Sequence, residues 1–312
     1  MTPEQAQYFA QRFEAVVGNV ERFIQGKDDV VRLALIALLA EGHLLMEDVP
    51  GVGKTSLARS LSASLGLSGS RIQFTPDLLP SDVTGVTVFH QSKDSFEFHP
   101  GPVFTNVLLA DEINRGTPRT QSALLEVMEE QQVSLDNSTR LLPRPFFVLA
   151  TQNALDQAGT YPLPESQLDR FLFRISLGYP DQAAERAMLA GEDRRSLLER
   201  IPPALAPGEL NGLFQAVRAV HAAPPIIDYV QGLLAYSRSA SAFTLGLSPR
   251  AGLGLLAAAR AWALLDGRQH LLPEDVQAVL PAVAGHRLRP SGNQQQTPEA
   301  LARVLIEGVA LR

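Results

Sequence analysis

A parallel β-sheet covered on both faces by helices, followed by a separate helical domain, is the α/β architecture this chain predicts, and three observations predict it. The first is a set of short apolar runs, His43-Leu44-Leu45-Met46, Val107-Leu108-Leu109-Ala110 and Phe146-Phe147-Val148-Leu149-Ala150, separated by helix-forming stretches. Strands alternating with helices read as βαβ units, and strands that are apolar throughout are those buried on both faces. The second is that each run ends in a polar cluster, which places the chemistry at the carboxyl ends of the strands, where such sheets bind their ligands. The third is a change of composition near Tyr179-Pro180-Asp181, where β-branched and aromatic residues give way to Ala-, Leu- and Arg-rich sequence. Residues 1–180 are therefore expected to form the α/β core and 181–312 the helical domain, a division that suits 312 residues at roughly 100 to 200 per domain.

The first strand runs into Asp48-Val49-Pro50-Gly51-Val52-Gly53-Lys54-Thr55, and a helix-forming stretch begins at Ser56. A Gly-rich turn between a buried strand and a helix is a phosphate cradle. Val49, Pro50, Gly51, Val52 and Gly53 form the loop that wraps the β-phosphate, and the positive end of the helix at Ser56 points at it. Lys54 is placed to reach the β- and γ-oxygens, and the Thr55 hydroxyl to ligate Mg²⁺. Asp48 stands where the usual G-x-x-x-x-G-K-[ST] pattern has its first glycine.

About fifty residues on, the second strand ends in Asp111-Glu112. Adjacent acids on a strand tip can divide two jobs, Asp111 holding the metal and Glu112 acting as base toward an attacking water. The third strand ends in Thr151-Gln152-Asn153, and Asn153 is expected beside those acids to orient the water. Arg170, just before the strand-like Phe171-Leu172-Phe173-Arg174-Ile175, and Arg250, at a helix start with Ser248 as N-cap and Pro249 in the first helical position, are further candidates. Alone, either arginine reads more readily as a surface charge.

In the second domain, Gly252 to Leu265 reads as an apolar helix closed by Asp266-Gly267, and Pro273-Glu274-Asp275 and Thr297-Pro298-Glu299 open two more. Gly285 to Gln296, rich in Arg, Pro, Gly and Gln, reads as an exposed linker.

The net charge of -6 and the pI near 5.6 lack the basic footprint of a duplex-binding protein, and nucleic acid is not an expected partner. Only Lys27, Lys54 and Lys93 are lysines against 24 arginines, so the cradle holds one of three. No cysteine is present, which excludes disulfides and thiolate metal sites, and the six histidines form no H-x-x-x-H pair. No apolar run reaches the roughly 20 residues of a membrane span and no signal-like segment opens the chain, so cytoplasmic residence is the default. An N-K-x-D guanine-reading element is absent. Ile24, in Phe23-Ile24-Gln25-Gly26-Lys27, is apolar and by itself reads as core.

Taken in order, these blocks resemble the MoxR family of AAA+ ATPases. The resemblance rests on Met46 to Thr55, Phe98-His99-Pro100-Gly101-Pro102-Val103-Phe104, Asp111-Glu112-Ile113-Asn114-Arg115, Gln121 to Glu126, Ala150 to Asn153, Gly159 to Glu165, Gln167-Leu168-Asp169-Arg170-Phe171 and Ser248-Pro249-Arg250. It spans about residues 20 to 290. It implies a P-loop AAA+ core with a five-stranded parallel sheet and a helical lid, ATP and Mg²⁺ as cofactors, and a homo-oligomeric ring, a hexamer. It also implies Lys54 and Thr55 as the Walker A pair, Asp111 and Glu112 as Walker B, and Asn153 as sensor 1, and the likeness of Phe23 to Lys27 to the family's segment against the adenine makes Ile24 an adenine contact as readily as core. Arg170 matches the finger presented to a neighbouring subunit, and Arg250 the sensor 2 arginine. The helix-2-insert clade, which the family resembles, adds an insertion expected near Val86 to Phe98 and a hairpin near Val133 to Pro145, both facing a central pore. By the same resemblance the chain is a chaperone-like motor that remodels or matures a partner protein, often with a protein carrying a von Willebrand factor A domain. A magnesium-chelatase-type motor subunit shares the plan and is the alternative, with a DNA translocase behind it.

Overall fold

The computed structural model describes every residue except 50, 93, 137, 154–158, 191–200, 207, 293–295 and 312. In chain order its first nine strands are β1 (Leu44–Glu47), β2 (Gly69–Gln73), β3 (Gly85–His90), β4 (Ser95–Pro100), β5 (Val107–Asp111), β6 (Gln132–Leu135), β7 (Ser138–Leu141), β8 (Phe147–Gln152) and β9 (Phe173–Ile175). Five of them form one sheet in the order β2-β5-β8-β1-β9, and every pairing in it is parallel. The three apolar runs occupy its interior strands. The strand at one edge, β2, is polar and half exposed, and no apolar run announces it.

Alternation along these strands divides the core in two. Leu44, Met46, Leu109, Leu149 and Phe173 face one side, while Leu45, Leu108, Ala110, Val148 and Ala150 face the other. On the first side the sheet packs against the helices Pro3–Glu21, Asp28–Leu39 and Lys54–Ser64, and the same apolar cluster continues through Leu255, Ala259, Val279, Leu280 and Leu305 of the lid. The helix Pro118–Glu130 covers the second side through Leu124, Leu125 and Met128.

The lid helices start and stop where their caps place them. Ser248 Oγ accepts from Ala251 N at 3.0 Å at the head of Pro249–Leu265. Its other end is closed by Gly267, at φ +69°, with Arg268 N donating to Ala263 O at 2.9 Å. Pro273–Ala284 and Pro298–Gly308 follow. The expected linker after Gly285 is corrected at its start, because His286, Arg287 and Leu288 are buried. The reason is that Arg287 folds back onto the sheet instead of pointing to water. The expected hairpin forms as β6 against β7, and the segment expected to be an insertion is itself a hairpin, β3 against β4. No helix among the described residues is long and apolar enough to cross a membrane.

His43, buried at the amino end of β1, ties two strands and a helix together. Val148 N donates to its Nδ1 at 3.1 Å, and Nε2 lies 3.1 Å from Met128 O. Burial holds its pKa down at about 4. The unfolded chain takes that proton near 6.5, so the stabilisation is complete above about 6.5 and drains away as the pH falls toward 4. The loss expected from this one imidazole by pH 4 is roughly 3 kcal/mol. Urea unfolding of wild type and His43→Gln across that window checks it, and the variant's stability should fall less steeply with acid.

Candidate active site

The cradle takes its shape from two glycines. Gly51 (φ +85°) and Gly53 (φ +106°) occupy left-handed backbone that an L side chain resists, and Lys54 then opens the helix Lys54–Ser64. A Cβ at Gly51 would meet nothing within 4 Å, so the loop is open above it, as a phosphate-binding concavity must be. Lys54 Nζ rests on the loop's own carbonyls, 3.2 Å from Asp48 O and 3.3 Å from Val49 O. These are long bonds to neutral acceptors, and an anionic phosphate offers Nζ stronger ones. Pro50 lies outside the described residues.

Asp48 has a structural task that its place in the motif does not suggest. Its buried carboxylate accepts from Leu177 N and, at 3.2 Å, from Gly178 N, and so ties the head of the loop to the chain beyond β9. Ile24 is buried in the apolar cluster, with its Cδ1 3.6 Å from where a Cβ on Gly53 would stand. Ile24 is therefore core by burial and lies beside the cradle.

Across the cavity, Thr151 organises the acids. Its hydroxyl donates to Asp111 Oδ1 at 2.6 Å and accepts from Glu112 N at 2.8 Å, and Glu112 takes left-handed backbone at φ +53°. The other Asp111 oxygen pairs with Arg71 Nη2 at 2.7 Å, and Glu112 Oε2 with Arg115 Nη1 at 2.9 Å. Gly51, Gly53, Lys54, Thr55, Asp111, Glu112 and Asn153 line one cavity of about 280 Å³. A hydroxyl and a carboxylate facing each other across a polar cavity form the all-oxygen donor set that a hard cation such as Mg²⁺ takes.

Arg170 and Arg250 are brought together, but not there. Both end on Glu129 at the close of the helix Pro118–Glu130. Arg170 Nη2 lies 2.9 Å from Glu129 Oε2, Arg250 Nη2 pairs with Oε1, and Arg170 Nη1 also donates to Leu125 O at 2.6 Å. They line a different cavity, of about 370 Å³, together with Gly42, His43 and Leu172. His43 and Leu172 precede β1 and β9, so this cluster lies at the amino ends of strands whose carboxyl ends carry the cradle. The cluster is held from behind by Arg287, whose guanidinium bonds Asp169 Oδ1 at 2.7 Å and the carbonyls of Asp169, Phe171 and Leu172. A larger cavity of about 630 Å³ between the helix Asp28–Leu39 and the lid contains none of these residues.

Two family models match the chain. One describes the ATPase family associated with various cellular activities (AAA) and matches residues 43–173; the other describes the AAA lid domain and matches residues 235–304. Chaperone MoxR1 of Mycobacterium tuberculosis is 41% identical over 96% of this chain and 82% of its own length. The chain belongs to the MoxR family of AAA+ ATPases. Protein MoxR of Paracoccus denitrificans is 33% identical over 95% of this chain and 94% of its own. A candidate ATPase from Cytophaga hutchinsonii, known from a crystal structure, superposes with a TM-score of 0.90 at 33% identity, covering 99% of this chain and 97% of that one.

Sequence reading passed over Thr151, Arg71, Glu129 and Arg287. Thr151 sat within a polar strand tip already singled out, whereas Glu129 and Arg287 carry no local signal. Two outcomes follow from the geometry. Thr151→Val keeps the shape but leaves Glu112 N–H unpaired and Asp111 held by Arg71 alone, so kcat for ATP should fall roughly tenfold to a hundredfold, about 1–3 kcal/mol. Nucleotide affinity, read by fluorescent-analogue titration, should stay within about twofold of wild type. Glu129→Gln removes the charge that lets two guanidinium groups share one place, and kcat should drop about tenfold with KM for ATP unchanged.

Proposed function

We propose that this MoxR-family ATPase is an Mg²⁺-dependent ATP hydrolase that works as a homo-oligomeric ring, a hexamer, and uses hydrolysis to remodel or mature a partner protein. One observation carries the ring: the Walker residues and the arginine pair occupy opposite ends of a single sheet. Hydrolysis then needs two subunits, one supplying Lys54, Thr55, Asp111, Glu112 and Asn153 and its neighbour supplying Arg170 and Arg250.

In this reading Lys54 leaves the loop carbonyls for the β- and γ-phosphate oxygens, and Thr55 and Asp111 hold Mg²⁺. The metal, when bound, neutralises phosphate charge. Asn153 orients a water for in-line attack on the γ-phosphorus, Glu112 takes its proton, and the bond from the γ-phosphorus to the bridging oxygen of ADP breaks. Little covalent work is left to the protein, so charge stabilisation dominates, and an arginine supplied in trans contributes on the order of 10³ to 10⁵ in rate. Both Arg170 and Arg250 are assigned to that role, since Glu129 already holds them side by side. The chaperone name of the mycobacterial relative supports a protein client. A partner with a von Willebrand factor A domain rests on the family resemblance.

The test is ATPase rate against protein concentration with Mg²⁺, with and without duplex DNA, alongside light scattering. Specific activity should rise as a ring-sized mass appears and should ignore DNA. Mixing Arg170→Ala with Glu112→Gln should recover activity that neither has alone, since one keeps its acids and the other its arginines. A flat rate from a monomer, stimulated by DNA, would replace this reading with a translocase.

A further inference from the structure

The hairpin of β3 and β4 carries a cluster that nucleotide chemistry does not use. Its register sets Val86 opposite His99, Val88 opposite Glu97 and His90 opposite Ser95. Side chains alternate along a strand, so His90, Glu97 and His99 share one face with Val86 and Val88. There each of the three offers a donor atom, and the three atoms all lie within 4.8 Å of one another. His90 Nε2 is 3.2 Å from Glu97 Oε2, and the two imidazole rings stand 5.9 Å apart. His90 Nε2 is shielded from solvent and makes no hydrogen bond among the described residues.

We propose that this face binds a divalent transition-metal ion of the zinc class through the imidazole nitrogens of His90 and His99 and the carboxylate of Glu97, with the fourth position open to water. Two nitrogens and one oxygen suit zinc, copper, nickel or cobalt, whereas Mg²⁺ and Ca²⁺ take oxygen. Zinc bonds of about 2.0–2.1 Å in a tetrahedron put neighbouring donors roughly 3.3 Å apart. The His90–Glu97 pair already has that spacing, and a side-chain rotation brings in His99. A simple ion pair would account for His90 beside Glu97. It gives no role to the second imidazole, whose donor atom lies within 4.8 Å of the other two.

The platform under the cluster is firm where His99 leaves it. A Cβ at Gly85 would stand 2.5 Å from His99 O and one at Gly101 2.3 Å from Val83 O, so the hairpin base is in close backbone contact. Phe98 packs edge-on against Phe104 at 5.5 Å, and Arg140 of β7 lies over the Phe98 ring at 4.0 Å. None of these residues lines the nucleotide cavity, so the site stands independently of the proposed hydrolytic cycle.

The experiment titrates Zn²⁺ into the full nucleotide-free chain after chelator treatment, by calorimetry and by equilibrium dialysis with elemental analysis, in the presence of excess Mg²⁺. One ion per chain is expected, weakened at least tenfold in each of His90→Gln, Glu97→Gln and His99→Gln, while MgATP turnover and thermal melting of the variants match wild type. Co²⁺ bound at the same stoichiometry should show the visible absorption of a tetrahedral site and lose it in His99→Gln. Absence of saturable Zn²⁺ binding, or binding that His99→Gln and His90→Gln both leave unchanged, would overturn the assignment.

Discussion

Strand direction is the constraint on which the rest of this molecule depends. With all five core strands parallel, their carboxyl ends collect Lys54, Asp111, Glu112 and Asn153 along one edge, and their amino ends collect His43, Leu172 and the arginine cluster along the other. Strands of three to six residues, at about 3.3 Å per residue, hold the two sets roughly 10 to 20 Å apart before any loop is counted. The proposed supply of an arginine by a neighbouring subunit rests on this separation. Contacts that join unlike surfaces of identical subunits close into rings when the rotation permits, and the proposed assembly belongs to that class. The proposed division of the site between subunits therefore rests on topology as well as on the catalytic argument.

The arginine end is built as deliberately as the Walker end. Arg287 is buried, and burying a guanidinium is costly unless its donors are satisfied. Its five N–H groups find Asp169 Oδ1 and the carbonyls of Asp169, Phe171, Leu172 and Val283. Ser248 Oγ donates to the same Asp169 carboxylate, at 2.9 and 3.0 Å, while also capping the lid helix that carries Arg250. One carboxylate therefore fixes the chain beside Arg170 and the helix start beside Arg250. Glu129 then has two guanidinium groups to neutralise in one place, and the three segments 125–129, 169–172 and 248–250 hold one another in position.

Most of the sheet and the residues that line the candidate cavity were legible in the sequence, because buried parallel strands must be apolar and phosphate chemistry restricts residue choice at their tips. Lys54, Thr55, Asp111, Glu112 and Asn153 each ended a recognisable pattern and met in one cavity. The misses share a physical cause. β2, Gly69 to Gln73, is an edge strand with only Ile72 buried, so it lacks the apolar run that marks a strand. Arg287 sits in a stretch of Arg, Pro and Gly that looks solvated, and only a partner 118 positions away in the chain makes it core. Asp48 reads as a motif variant, but its carboxylate is occupied by backbone N–H groups 129 and 130 positions on. Long-range polar pairing leaves no periodicity to read, whereas caps do: Ser248, Thr297 and Gly267 each stood where the sequence marked a helix end.

The two hairpins add a connection between the halves of the site. β6 begins directly after the helix whose last turn bears Glu129, and β7 leads within a few residues into β8, which ends at Thr151 and Gln152 beside Asn153. Leu142 N donates to Gln131 O at 3.1 Å, closing the hairpin's base, and Arg140 reaches across to stack on Phe98 of the other hairpin. A two-stranded ribbon has little stability of its own, so it depends on what its base is tied to. Here the base is tied at one end to the holder of the arginines and at the other to the strand that orients both acids. Phe96 and Leu141, among the most exposed large apolar residues of the molecule, project from these hairpins rather than from the sheet. The β6–β7 hairpin is therefore continuous in backbone with the segments that carry Glu129 and Thr151, at opposite ends of the sheet.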